Sequence, residues 1–74
     1  MYELNGNLTF NRSRKRAVQI DPGSMIIHLW NISGIENNYP DVNGGYVGWV
    51  TSSRSAMEWL EGRVPDDLIQ RSLI

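Results

Sequence analysis

The sequence contains no cysteine, and this absence removes a disulfide scaffold, a thiol nucleophile and a cysteine-ligated zinc site together. Histidine is nearly missing as well. His28 stands alone, so no multi-histidine metal cluster can form. Long hydrophobic runs are absent too. The longest apolar stretch, Met25 to Ile32, is broken by His28 and Asn31 and falls far short of the ~20 residues a membrane helix requires. The opening residues, Met1-Tyr2-Glu3-Leu4-Asn5, lack the basic start and apolar run of a secretory signal. These absences lead to the expectation of a soluble, cytoplasmic protein with no cofactor, no metal and no membrane partner.

An overall excess of either charge is also lacking, with 7 Lys and Arg against 8 Asp and Glu, a net charge of −1. The balance conceals a split. Arg12, Arg14, Lys15 and Arg16 place four of the seven cations within five positions, leaving three basic against eight acidic residues elsewhere, a net −5. A basic knuckle on an acidic body is not the footprint of a dedicated double-stranded DNA binder, whose affinity comes largely from phosphate neutralisation over a broad face.

With 74 residues the chain has room for one domain, residues 1–74, burying about 60–65% of its unfolded surface. Residues 2–10 alternate, with Tyr2, Leu4, Leu8 and Phe10 on even positions, as a strand with one wet face does. The pattern predicts one unbroken strand with Gly6 as a flat spot, since two four-residue arms would make a meagre hairpin. It also fits a hairpin turning over Asn5-Gly6-Asn7. Arg16–Ile20 reads as a second strand, and Asp21-Pro22-Gly23-Ser24 as a type II turn in which Pro22 presets φ at the first central position and Gly23 takes the positive φ of the second. Met25–Ile32, apolar on both faces, reads as the central strand. Residues 33–45 form a long loop dense in Gly, Asn, Asp and Pro, and Tyr46–Val50 a fourth strand.

Helix signals follow. Ser55 and Glu58 have capping-box spacing, with Ser52 or Ser53 as alternative caps. Ala56, Met57, Trp59 and Leu60 recur at helical spacing, and Gly62 is a natural stop. Val64-Pro65-Asp66-Asp67 resembles the start of a second short helix, with proline in its first turn and carboxylates at the positive end of the dipole. The expected fold is therefore α+β: a meander-like antiparallel sheet of about four strands followed by one or two short C-terminal helices packed on it.

Candidate sites are few. Arg12, Arg14, Lys15 and Arg16 could contact nucleic acid or an acidic partner, or form a solvated hairpin tip. Tyr46 and Trp49 are three apart and alternate to opposite faces of a strand, which argues against a base-stacking platform. His28 lacks the local signature of a nucleophile–base pair and is expected to be structural or at the surface; no catalytic residue is assigned. The long loop offers Glu36, Tyr39 and Asp41 as contacts for a partner protein, since loops carry adaptable polar groups and Tyr is favoured at interface hot spots. Leu73 and Ile74 either close the monomer core or meet a second copy across a two-fold axis, so monomer and homodimer stay equally open.

The expected function is non-enzymatic: a small module that docks on another macromolecule, a protein before nucleic acid, and modulates it by occupying a surface. Size and composition match those of bacteriophage and mobile-element accessory proteins, including inhibitors of host defence complexes such as CRISPR effectors. The alternative is a small nucleic-acid-binding regulator using the Arg12–Arg16 cluster.

Overall fold

Polar turns fold the alternating segments back on one another, so neighbouring strands run antiparallel. The structure, a computed structural model, describes residues 2–70. In chain order its elements are β1 (Glu3–Asn5), β2 (Leu8–Asn11), β3 (Arg16–Ile20), β4 (Ile27–Asn31), β5 (Gly34–Glu36), β6 (Tyr39–Asp41), β7 (Tyr46–Val50), α1 (Ser53–Leu60) and β8 (Ile69–Gln70). Strands β1, β2, β3, β4 and β7 form a five-strand antiparallel meander, and the two-residue β8 joins its β7 edge. The small hairpin β5–β6 is inserted between β4 and β7, and α1 packs on one face of the sheet. Among the described residues no helix is long and apolar enough to cross a membrane.

The first strand is not unbroken. Asn5 pairs with Leu8, so Gly6 and Asn7 make a two-residue hairpin loop, with Gly6 at a φ of +61°. This register places Glu3 opposite Phe10 and Leu4 opposite Thr9. The even-numbered apolar residues therefore part company. Leu8 and Phe10 enter the core on one face, while Leu4 lies on the other and is 77% exposed.

The sheet has apolar residues on both faces, and each face has its own cover. On one side Val18, Ile27, Leu29 and Val50 pack against Ala56, Trp59 and Leu60 of α1. Ser52 is the N-cap, its hydroxyl accepting from the Ser55 amide; Ser55 itself lies inside the first turn. Gly62, at a φ of +95°, closes the other end: its amide donates to Trp59 and that of Arg63 donates to Glu58, the two bonds of a Schellman stop. Met57, expected on the apolar side, points outward and is 54% exposed.

On the opposite side Phe10, Ala17 and Ile32 form a second core, covered by Ile35 and Val42. Residues 33–45 are thus not an irregular loop. Asn37 and Asn38 adopt φ of +53° and +67°, the left-handed pair of a tight hairpin turn that asparagine tolerates, and β5 and β6 form on either side.

The expected second helix does not form within the described residues. After Pro65 the chain makes a turn, the Leu68 amide donating to the Pro65 carbonyl, and then pairs with β7 as β8. Asp67 accepts from the Ser55 hydroxyl at 2.7 Å, so this carboxylate serves the start of α1 rather than a helix of its own. The free edge of β7 offers Ile69 and Gln70 backbone partners immediately. Leu73 and Ile74 lie outside the described residues.

Candidate functional site

The basic cluster occupies the β2–β3 turn, and its members are put to different uses. Asn11 and Arg16 reach the C-terminal end of α1, where carbonyls lack helical partners and the dipole is negative. Asn11 donates to the Leu60 carbonyl at 2.8 Å, and Arg16 donates to the Trp59 and Arg63 carbonyls at 3.2 and 2.8 Å. The Arg16 guanidinium also lies 3.8 Å above the Trp59 ring. Its pKa is lowered by burial first and by Arg14 second. The Arg14 side chain lies over Gly62. Arg12 turns the other way, to a two-point ion pair with Glu3 at 2.8 and 2.7 Å and a bond to the Asn38 side chain at 2.7 Å. The hydrogen bond from Arg12 is the main reason that Glu3 is held below its ordinary value and Arg12 above its own. Lys15 holds a turn position at a φ of +56°. Two of the four cations, Arg12 and Arg16, thus make intramolecular bonds.

The three residues expected on the long loop are brought together. In the β5–β6 hairpin Glu36 pairs with Tyr39 and Gly34 with Asp41, so Glu36, Tyr39 and Asp41 share one face. Ile35 and Pro40 take the other face, where Ile35 packs on the second core. Tyr39 is 68% exposed, and both carboxylates are exposed. The hairpin is held at both ends. Ser33 donates from its amide to the Asp41 carbonyl at 2.9 Å, and the tip is bound to the β1–β2 hairpin because Asn5 and Arg12 donate to Asn38. One Asp41 carboxylate oxygen accepts the Asn43 amide at 3.0 Å, which fixes its position without neutralising it. The result is a braced acidic face with a tyrosine at its centre. The sequence signal that could have revealed the hairpin is the Asn37-Asn38 pair between Ile35 and Tyr39.

A second arrangement overturns the expectation for Tyr46 and Trp49. The β4–β7 ladder shifts register between Leu29 and Trp30: Trp49 opposes His28, Gly48 opposes Leu29, and Tyr46, not Val47, opposes Trp30. One extra residue in β7 is a β-bulge, and it returns Tyr46 to the face that carries His28, Trp30 and Trp49. Val47 turns to the helix side and packs against that core. On the shared face His28 Nδ1 lies 2.6 Å from the Tyr46 hydroxyl, and the Tyr46 ring meets Trp30 edge-on at 4.8 Å. The Trp30 indole N–H donates to Gln19 at 3.2 Å. Glycine inside an otherwise regular strand, Gly48, was the available signal for this bulge. Among the described residues no group of three or more His, Asp or Glu is placed to hold a metal ion.

No protein-family model, curated protein or solved structure matches this chain.

Proposed function

We propose that the protein is a non-enzymatic docking module that binds a basic surface of another protein through the outward face of the β5–β6 hairpin, and modulates that protein by occupying the surface. The observation that carries this reading is the convergence of Glu36, Tyr39 and Asp41 on one face of a hairpin braced at base and tip. Two carboxylates flanking an exposed tyrosine complement lysines and arginines while supplying one large, stiff contact. Bracing lowers the ordering cost of binding, because the hairpin does not have to be frozen on contact. A basic nucleic-acid channel, such as that of a host defence complex, has the charge this face complements, and filling it would displace the nucleic acid.

The test is affinity capture from host lysate with the native protein and with the double variant Glu36→Lys, Asp41→Lys. The expected result is one stoichiometric protein complex, lost on charge reversal. Tyr39→Ala is expected to weaken binding to the purified partner roughly 10- to 100-fold. Recovery of nucleic acid alone, with salt-steep binding to random DNA or RNA, would overturn the reading in favour of the Arg12–Arg16 cluster. Capture that is indifferent to both variants would also overturn it.

A further inference from the structure

A cleft of about 230 Å³ opens on the helix-free face of the sheet, between the β1–β2 turn and the β3–β4 turn. Its aromatic lining is His28 and Trp30, and these rings are held in place. Gln19 accepts the Trp30 indole N–H, Tyr46 packs edge-on against Trp30, and the Tyr46 hydroxyl bonds to His28. Asp21, also in the lining, supplies a formal negative charge, and no lysine or arginine is among the described residues around the cleft. The Asp21 carboxylate is oriented by its own turn. The Gly23 amide and the Ser24 hydroxyl donate to its two oxygens at 3.3 and 3.0 Å, and each oxygen retains a further acceptor position. Asn7 adds an amide, and Ile20 and Pro22 add apolar wall.

This chemistry selects a particular guest. A phosphate or carboxylate would meet Asp21 with no cation to balance it. The volume lies below the ~300 Å³ at which drug-sized ligand pockets begin, so it suits one side chain rather than a larger molecule. A fixed indole and a carboxylate lining one cleft favour a flat cation that can stack on the ring and donate to the acid, which is guanidinium rather than ammonium. The apolar wall suits the methylene stem behind such a head. We propose that the cleft binds the side chain of an arginine presented by a partner protein. The site shares no residue with the outward face of the β5–β6 hairpin, and its test needs no partner.

The experiment is an NMR titration of the full chain with N-acetyl-arginine N-methylamide, with the lysine and glutamate counterparts run in parallel. The arginine compound is expected to give saturable shifts of the Trp30 indole N–H and the Asn7 and Gln19 side-chain amides. Lysine should bind more weakly and glutamate should leave these signals in place. Asp21→Asn retains an acceptor for Ser24 but removes the charge, and should weaken arginine binding about tenfold. Trp30→Leu, checked by its amide spectrum for an intact fold, should abolish it. Glu36→Lys with Asp41→Lys should leave arginine binding unchanged, which separates this site from the hairpin. Equal shifts with all three compounds, arginine binding indifferent to Asp21→Asn, or shifts centred on Glu36 and Asp41 would each overturn the proposal.

Discussion

Arg16 and Arg12 are near neighbours in sequence, yet their guanidinium groups solve different problems. Arg16 stacks on Trp59 and donates to two carbonyls at the end of α1, so removing it exposes a ring face and strips those acceptors of a partner. Arg16→Ala is expected to cost about 1–3 kcal/mol in urea unfolding, whereas Arg14→Ala should stay within about 0.5 kcal/mol. Lysine at position 16 should rescue little, since it lacks the planar fork. Arg12 acts through Glu3, whose carboxyl is held below its ordinary value of 4.5 by the Arg12 hydrogen bond. A carboxylate with a lowered folded-state pKa adds stability that is complete above its ordinary value and disappears as pH falls through the lowered one. The stability difference between the native protein and Glu3→Gln should therefore be constant near neutrality and vanish only below about pH 4. Because both partners are exposed, added salt should shrink it throughout. Thermal melts of the two proteins across pH and ionic strength check this.

At the scale of elements, the short β8 depends on a glycine in the strand beside it. A Cβ added at Gly48 would collide with the Ile69 carbonyl and crowd the Leu68 side chain, so β8 can approach β7 only where no side chain intervenes. Gly48→Ala should release β8 from the sheet edge, with faster amide exchange at Ile69 and Gln70 and a loss of about 1–3 kcal/mol. The same region shows why helix signals misled. Proline followed by two aspartates favours a helix start in isolation, but Asp67 instead accepts from Ser55, and the open edge of β7 captures the chain that follows. The β5–β6 hairpin makes the complementary point: its turn residues were visible, but its strands form because Ile35 and Val42 find Phe10, Ala17 and Ile32 to cover.

Over the whole molecule, the three cations and eight carboxylates that lie outside the Arg12–Arg16 turn make the body, with the β5–β6 hairpin on it, locally negative. Such a field accelerates encounter with a basic partner and is screened within about 10 Å at 0.1 M salt. The association rate with the captured partner should therefore fall steeply with salt while the dissociation rate changes little. Glu36→Gln with Asp41→Gln should lower the association rate and flatten that dependence. Stopped-flow mixing at a series of salt concentrations measures both. An association rate indifferent to salt would remove charge steering from the account.

Alternation, turn chemistry and capping were written locally. They sufficed for the strands Arg16–Ile20 and Tyr46–Val50, for a central strand within Met25–Ile32, for a turn at Asp21–Ser24 though not of type II, since Gly23 does not take a positive φ, for the helix over Ala56–Leu60 with its Gly62 stop, and for the α+β class. They also sufficed to nominate Glu36, Tyr39 and Asp41 as a group. What residues near in sequence could not determine was which distant groups would satisfy a given donor or fill a given face. Pairing Asn5 with Leu8 flipped Leu4 outward, and one extra residue in β7 brought Tyr46 and Trp49 onto a common face with His28. The basic cluster became largely a cap and a brace because the end of α1 and the tip of the β5–β6 hairpin happened to lie within its reach. Local preference sets the conformation a segment starts from; hydrogen-bond satisfaction and burial across the fold decide which surfaces remain free.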